Sequence, residues 1–375
     1  MFIWNRVEPL GGIEASIMSF ASSSNGSYVY VLHNVNPKGR LFTSVSGAWW
    51  VELFPSAPPS GFPDAKVKCS RSGQHVIVWS SGSIAISHDY GATWSAGIYY
   101  GNWAERSISG AAISDDGQII AIVGRSRLSS ESYRRAFRSI SSNGGSSFTI
   151  TRGTTLGEGD VAMSSSGDII ITTGASNESG TDPGVWRSSN SGSSFTKIST
   201  VTCRSACINS AGNIFYYTAT ASGGVLYKST DGGAGSLVST PSLGQYARVA
   251  TDDTGNIVLL GTGNGVNVNK VRYSDNGGTG FSEESPDGIS DGTWGEHDVT
   301  VSGNGMIMSV INRPSIAVLY YDTYTTASQP LPPSQAWSSV SMSNDGAVMA
   351  VATATGSVYL SSDFGKTWNK AQLPE

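Results

Sequence analysis

The sequence has few charged residues and no long apolar run. Asp, Glu, Lys and Arg make up only 14% of the 375 residues, and the formal net charge is -5. A protein dedicated to nucleic acid needs a basic face for phosphates, so this balance argues against a nucleic-acid partner. No stretch reaches the length of a membrane span, and the first residues lack the apolar run of a signal peptide. We therefore expect a soluble protein without membrane insertion.

Cysteine is also scarce. The three cysteines, Cys69, Cys203 and Cys207, are an odd number and show no metal-ligand spacing. If Cys203 and Cys207 share a strand, four steps separate them by about 13 Å, beyond the roughly 7 Å that a disulfide can bridge. We expect free, buried thiols, no metal site and no cofactor.

A long amphipathic helix is missing as well, whereas glycine and short apolar runs are abundant. The chain has 46 glycines, and aromatic residues reach 10%. Such a composition is typical of many short strands joined by tight turns. The sequence therefore predicts an all-β protein.

The first of two recurring signatures is a hairpin with a polar turn that ends in glycine. The clearest copy runs from Val161 to Ile171 around Gly167, with a second strand rich in isoleucine. Other copies centre on Gly26, Gly73, Gly117, Gly212, Gly255, Gly305 and Gly346.

The second signature is Ser-x-Asp-x-Gly-x-Thr-Trp between two strands, best seen from Ser361 to Trp368. We expect the Asp carboxylate to accept backbone N–H bonds across the turn, the glycine to adopt a positive φ, and the tryptophan to cover the hairpin. Asn replaces Asp and Phe replaces Trp in some copies. The residues assigned to this structural role are Asp89, Gly91, Trp94, Asn143, Phe148, Asn190, Phe195, Asp231, Asp363, Gly365 and Trp368.

Alternation of the two signatures divides the chain into units of about four strands. The units begin near residues 13, 64, 107, 158, 203, 246, 297 and 337. Their spacing lies in the range of propeller blades, and one such unit cannot bury both of its faces alone. The sequence predicts a single β-propeller domain over residues 1–375 with four-stranded antiparallel blades. Eight blades are expected, and two degraded copies of the second signature leave seven as the alternative.

The Ser-x-Asp-x-Gly-x-Thr-Trp motif resembles the Asp-box, or BNR, repeat of sialidases, related glycoside hydrolases and many phage or secreted propellers. The resemblance covers nearly the whole chain. It implies a sialidase-like propeller fold in which the motif holds the blade together and usually lies away from the ligand. Sialidases also carry an Arg-Ile-Pro motif, which this chain lacks, so sialidase activity is not expected.

Strand order predicts where a ligand site lies. In antiparallel blades both recurring turns share one face, and the variable connections form the opposite, upper face, where function is expected. Aromatic, Arg and His side chains on those connections suit sugar rings. The predicted ligand-binding residues are Trp103, Arg106, Arg204, Tyr246, Arg248, Trp294, His297 and Trp337. The alternative is that Trp103, Trp294 and Trp337 fill gaps between blades.

Carboxylates on the same connections keep an enzymatic alternative open. A glycosidase needs two carboxylates about 5 to 9.5 Å apart, and Glu296, Glu158 and Asp298 are the candidates. The loop from Arg125 to Arg135 is basic and suits an anionic glycan or an acidic partner, with a solvated mobile loop as the alternative.

The leading hypothesis is a non-catalytic propeller that recognises glycans or a host or partner surface. Its expected setting is extracellular or on a virus particle, such as a tail or other appendage, where other structural proteins would be partners. A glycoside hydrolase and a purely structural assembly module are the rival classes.

Overall fold

The computed structural model describes residues 16–35, 38–45, 49–53, 65–80, 83–95, 103–132, 134–153, 159–174, 183–219, 224–233, 235–238, 248–261, 271–284, 298–312, 315–320, 337–353 and 357–371. Within these ranges every regular element is a β-strand, and every strand pair is antiparallel. The predicted all-β class is therefore confirmed.

The strands of the described ranges form eight sheets, numbered here in chain order, and each sheet pairs its strands consecutively. Sheet 1 contains β1 (Ser16–Ser22), β2 (Tyr28–Val35), β3 (Lys38–Val45) and β4 (Trp49–Glu52). Sheet 2 contains β5 (Lys66–Cys69), β6 (Val76–Trp79) and β7 (Ile84–Ser87). Sheet 3 contains β8 (Trp103–Ile113), β9 (Ile120–Leu128), β10 (Arg135–Ser141) and β11 (Thr149–Arg152). Sheet 4 contains β12 (Val161–Met163), β13 (Ile170–Gly174), β14 (Gly184–Ser188) and β15 (Thr196–Ser199).

The second half of the chain repeats the pattern. Sheet 5 contains β16 (Cys203–Ile208), β17 (Phe215–Ala219), β18 (Val225–Ser229) and β19 (Ser236–Val238). Sheet 6 contains β20 (Arg248–Thr251), β21 (Val258–Gly261), β22 (Val271–Ser274) and β23 (Ser282–Glu284). Sheet 7 contains β24 (Asp298–Val301), β25 (Ile307–Asn312) and β26 (Ser315–Tyr320), and sheet 8 contains β27 (Trp337–Met342), β28 (Met349–Thr353), β29 (Val358–Ser361) and β30 (Asn369–Ala371).

The sheets fall into two compact units. Sheets 7, 8, 1 and 2 belong to one unit, and sheets 3 to 6 belong to the other. In each unit, apolar clusters lie between neighbouring sheets; Val31 of sheet 1 and Leu360 of sheet 8, for example, are buried in one cluster. The last sheet of the chain therefore packs against the first.

All eight predicted turn glycines adopt a positive φ, from 66° at Gly26 to 79° at Gly255. At Gly212 an added Cβ would lie 2.7 Å from the Ile169 side chain of the preceding sheet. Glycine is thus required both by the turn and by the close approach of the neighbouring sheet.

A buried polar residue begins each of these turns, and no sequence pattern predicted it. In sheet 3, the Ser114 hydroxyl donates to Asp116 Oδ1 at 2.6 Å and accepts the Ile119 amide at 2.9 Å. The corresponding residues are Ser23, Ser70, Ser164, Asn209, Asp252, Ser302 and Ser343, and all are buried. Each forms a hydrogen bond across its own turn, so a buried polar group replaces part of the backbone ladder.

Backbone hydrogen bonds link successive turns within each unit. In the first unit, the bonds run from Asn304 N to Asn344 O, from Asn344 N to Ser24 O and from Ser24 N to Arg71 O, at 2.5 to 3.0 Å. In the second, they run from Asp115 N to Ser165 O, from Ser165 N to Ser210 O and from Ser210 N to Asp253 O, at 2.9 to 3.1 Å. The turns thus fix neighbouring sheets relative to each other.

Candidate functional site

Most of the predicted ligand-binding and catalytic residues lie outside the described residues or have only their backbone described. Glu158, Tyr246, Trp294, Glu296 and His297 are outside the described ranges. For Trp103, Arg106, Arg204 and Asp298 the strand position alone is described. Their predicted roles remain predictions.

Arg204 and Arg248 lie in the first strands of neighbouring sheets, as the second residue of β16 and the first of β20. The register of β16 shifts between Cys203 and Ser205, at Arg204. Arg248 is half-buried and pairs with Gly261. The binding role of both arginines stays a prediction.

The assignment of Trp337 to ligand binding is wrong. Its side chain is only 1% exposed and packs between sheets 7 and 8. The ring of Tyr359 meets it edge to face, with centroids 5.5 Å apart. Trp337 therefore fills the gap between sheets, which was the alternative reading of the sequence.

One acidic residue, Glu131, is bonded to both ends of the basic hairpin between β9 and β10. Glu131 accepts hydrogen bonds from Arg152 Nη2 at 2.6 Å, Arg135 Nε at 2.8 Å and the Leu128 amide at 3.0 Å. Arg127 donates to the Glu131 carbonyl oxygen at 3.2 Å. These bonds, that from Arg152 foremost, lower the pKa of Glu131 to about 2.

Sheet 3 nevertheless carries an excess of positive charge. From Trp103 to Arg152, the span of its four strands, it has seven arginines and four acidic residues, in a chain whose net charge is -5. Arg134 is exposed, and Arg125, Arg127, Arg135, Arg138 and Arg152 are half-buried. The field around this sheet therefore favours anionic partners.

An aromatic and cationic cluster lies at the border of sheets 3 and 4, and we call it the Trp186 platform. The guanidinium carbon of Arg138 lies 4.4 Å from the centre of the Trp186 ring and 5.0 Å from that of Phe195. Lys197 Nζ lies 5.3 Å from the Trp186 ring centre. All four side chains are half-buried, and Arg138 Nε donates to Thr172 Oγ1 at 2.9 Å.

Sequence reasoning found only Phe195 of this platform, as a plug for its hairpin. Phe195 does pack against the core between sheets 3 and 4. Arg138 and Trp186 are 48 residues apart in sequence, and no local pattern joins them. Only the packing of two sheets brings them together.

The second recurring turn closes as the sequence predicts in its two best copies, and we call it the locked turn. In sheet 2, Ser87 Oγ donates to Asp89 Oδ1 and accepts the Gly91 amide, both at 2.8 Å. Thr93 donates its amide to Oδ1 at 2.8 Å and its hydroxyl to Oδ2 at 2.5 Å. Trp94 Nε1 donates to Gly91 O at 2.8 Å. Asp363 is bonded in the same way by Ser361 and Thr367.

These bonds shift the titration of the two aspartates. Desolvation raises the pKa of Asp89 and of Asp363, but the threonine and serine hydrogen bonds outweigh it and leave both pKa values below normal. The glycines, Gly91 and Gly365, have φ of 89° and 81°. The carboxylates of Asp89 and Asp363 are thus engaged in hydrogen bonds that close the turn.

The asparagine copies keep the turn with a different donor pattern. Asn143 Oδ1 accepts the Ser147 amide at 3.0 Å, while its Nδ2 donates to Ser147 Oγ at 2.8 Å. Asn190 makes the same two bonds with Ser194. An amide side chain can donate where a carboxylate only accepts, so it needs a hydroxyl that accepts.

The copy at Asp231 departs from the pattern. Its Oδ1 accepts the Gly233 amide at 2.9 Å and the Ser229 hydroxyl at 3.3 Å. Those two bonds, that from Gly233 foremost, outweigh desolvation and lower its pKa. This copy keeps the serine and the aspartate but closes a tighter turn.

The two kinds of turn lie side by side, as strand order predicts. Tyr90 N donates to Gln74 O at 2.9 Å, and Phe364 N donates to Ala347 O at 3.1 Å. In each pair the first residue belongs to the locked turn and the second to the glycine turn of the same sheet. The predicted shared face is therefore confirmed for these sheets.

The described residues contain no group of three or more His, Cys, Asp or Glu side chains that could hold a metal ion. All three cysteines are free; Cys203 is buried, as the sequence predicts, whereas Cys69 and Cys207 are half-buried. Among the described residues, no helix is long and apolar enough to cross a membrane.

Comparison with solved structures defines the class of protein. The chain superposes on the structure of the Dos1 propeller with a TM-score of 0.65 at 12% identity, covering 96% of this chain and 95% of that one. It superposes on the C-terminal WD40 domain of Sif2 with a TM-score of 0.63 at 12% identity, covering 93% and 96%. A GH74 enzyme from Niastella koreensis gives a TM-score of 0.41 at 10% identity, covering 95% and 85%.

The fold is that of a β-propeller with four-stranded antiparallel blades, and the repeats are its blades. No protein-family model matches the chain, and no curated protein matches it. The likeness at these identities shows the fold alone.

Proposed function

We propose that this propeller is a non-catalytic recognition module and that an acidic glycan binds at the Trp186 platform. The observation that carries the proposal is the half-buried Trp186 ring with Arg138 and Lys197 against it. The apolar face of a sugar ring stacks on an aromatic ring, and its acidic groups pair with guanidinium and ammonium groups. A rigid pair of sheets presents these groups at fixed positions.

The charge of sheet 3 supports an acidic ligand rather than a neutral one. The excess of arginine around the platform concentrates anions near it and speeds their association. The platform lies in the middle of β14, two residues before the locked turn of sheet 4 begins at Ser188. It is thus distinct from the upper-face connections that the sequence favoured.

A glycan array tests this proposal. We expect acidic glycans to bind and neutral ones to bind weakly, and Trp186→Ala to abolish binding while the circular dichroism spectrum is unchanged. Trp368→Ala is the matched control, since Trp368 is another half-buried tryptophan beside a locked turn, and it should retain binding. Equal binding by Trp186→Ala, or no binding across the array, would refute the proposal. Hydrolysis of fluorogenic glycosides would favour the enzymatic alternative.

We further infer that the locked turns are Asp-box repeats of the sialidase-like kind. The hydrogen bonds of Asp89, Asp363, Asn143 and Asn190 support this reading, because the same positions close the turn in each copy. The proposal extends to the setting expected from the sequence, a virus particle or an extracellular appendage. Immunogold labelling of particles or cell surfaces tests that part separately.

The number of blades remains a prediction: the sequence left eight or seven open, and the described strands form six four-stranded sheets and two, sheets 2 and 7, with three described strands each. An electron cryomicroscopy map of the protein decides between the two numbers.

A further inference from the structure

Two histidines meet at the end of sheet 2, although 13 residues separate them in sequence. The last pair in the ladder between β6 and β7 joins Val76 to Ser87, so His75 and His88 are the next residues beyond it. Their Nδ1 atoms lie 2.8 Å apart. The ring centroids are 5.0 Å apart with an interplanar angle of 66°. Two of the four histidines of the chain thus point the same ring nitrogen at each other.

The backbone on both sides of this pair is held by hydrogen bonds. His75 N donates to Ser70 Oγ at 3.1 Å, and Ser70 N donates to His75 O at 2.8 Å. On the other side, the locked turn of Asp89 fixes His88, and Tyr90 N donates to Gln74 O at 2.9 Å. The imidazoles are therefore presented by two closed turns rather than by loops, which is the arrangement a binding site requires.

The nitrogen spacing is close to that of a chelate. Zn²⁺ binds imidazole nitrogen at about 2.0–2.1 Å, which corresponds to about 2.9 Å between two nitrogens at a right angle and about 3.3 Å at the tetrahedral angle. The observed 2.8 Å needs to open by only about 0.1 to 0.5 Å to reach those spacings. Rotation of the two rings about their χ angles accommodates such a change without moving the turns.

We propose that His75 and His88 chelate a divalent transition-metal ion of the Zn²⁺, Ni²⁺ or Cu²⁺ class through their two Nδ1 atoms. In the hydrogen-bonded pair, one Nδ1 carries a proton and the other accepts it. When the metal binds, the donor ring moves that proton to Nε2, so both Nδ1 lone pairs face the ion. Neutral imidazole is a preferred ligand of these metals.

The ion would keep open coordination positions. Both histidines are half-buried, so water can reach the ion between them. The neighbouring Asp89 carboxylate is engaged by Thr93 and Ser87, and the described residues contain no third ligand group around the pair. The site is thus a two-histidine chelate completed by water, which places it in the class of sites open to an external ligand.

Titration of the full-length, chelator-treated protein with ZnCl₂ tests the proposal by calorimetry. We expect one saturable site per chain and a rise in the melting temperature with Zn²⁺. His75→Asn and His88→Asn should each lose the saturable site, whereas His33→Asn should retain it. Absence of a saturable site in the wild type, or an unchanged site in His88→Asn, would overturn the proposal.

Nitrogen NMR of the histidine rings provides a readout that does not depend on the variants. Zn²⁺ should shift the Nδ1 resonances of His75 and His88 together while those of the other histidines stay in place. Shifts of Nε2 alone, or of all histidines alike, would overturn the proposed chelate through the two Nδ1 atoms. Glycan binding at the Trp186 platform does not enter this test, so the two proposals fail independently.

Discussion

Thr93 donates both its backbone amide and its hydroxyl to the Asp89 carboxylate, at 2.8 and 2.5 Å. Where Asn143 or Asn190 takes the equivalent position, the partner is a serine whose hydroxyl accepts from the asparagine amide. In these copies the residues at the third and seventh positions of the turn act as a matched pair, whereas Asn276 accepts only a backbone amide from Gly280 at the seventh position. In each pair, every hydrogen-bond donor faces an acceptor.

Substitution of this aspartate should weaken sheet 2. Asp89→Ala removes the acceptor of three hydrogen bonds, and we expect a loss of about 1 kcal/mol in the free energy of unfolding, because the site is close to solvent. Asp231→Ala is the matched control and should lose less, since the seventh position of its turn is Gly235, which has no hydroxyl to donate. Urea denaturation measures both. Equal losses of unfolding free energy in the two variants would show that the bonds from Thr93 do not stabilise the fold.

The Glu131 cluster should make stability depend on pH in the acidic range. Its pKa of about 2 in the folded protein is below the normal value of 4.5. A lowered pKa stabilises the fold above the unfolded-state pKa, and that contribution is lost as the pH falls from about 4.5 towards 2. At neutral pH the wild type should be more stable than Glu131→Gln. We expect this difference in melting temperature to disappear across the same pH range, as measured by thermal unfolding at several pH values. A constant difference between the two proteins would contradict this assignment.

Glycine is expected to be irreplaceable at Gly212. Its φ is 78°, and an added Cβ would lie 2.7 Å from Ile169 and 2.9 Å from Ser164. We expect Gly212→Ala to lower the free energy of unfolding by about 2 kcal/mol or more. Gly280→Ala is the control, because the nearest atom to its added Cβ is 3.7 Å away, and its stability should be close to that of the wild type.

Cys203 should be inert in the folded protein. Burial raises the pKa of its thiol to about 12, and its side chain is not exposed. At pH 8 only about one thiol in ten thousand would be ionised. We expect Ellman's reagent to label Cys203 only after denaturation, so that Cys203→Ala leaves the native labelling unchanged. Rapid native labelling of Cys203 would contradict its burial.

Trp337 should matter for stability and not for binding. Trp337→Ala would leave a cavity between sheets 7 and 8, and we expect a loss of about 3 to 5 kcal/mol. Differential scanning calorimetry measures the loss. A variant as stable as the wild type would show that the neighbouring sheet closes the gap.

The sequence predicted the repeat and its turns because their signals are local. A glycine such as Gly167 follows a polar turn within one hairpin, and the Asp363 motif spans eight residues. The first strands begin within a few residues of the predicted unit starts, for example at Cys203 and at Trp337. Periodic turn chemistry is sufficient to locate such elements.

Contacts between sheets could not be predicted in the same way. Trp337 opens a strand, and the sequence does not show whether its ring faces a neighbouring sheet or solvent. Arg138 meets Trp186, and His75 meets His88, only once sheet packing and strand register are fixed. The arginines near Glu131 looked like a free basic loop because hydrogen bonds between hairpin ends leave no pattern in the sequence.

The packing of sheet 8 on sheet 1 governs the order of events during synthesis. Ser22 Oγ donates to Met342 O across 320 positions of the chain. A ribosome adding about 5 to 20 residues per second needs about 16 to 64 s to make the partner of the first sheet. For that time the apolar surface of Phe20 and Val31, which sheet 8 later covers, has no native partner. We therefore expect slower translation between the first and the last sheet to lengthen this exposure and to increase aggregation.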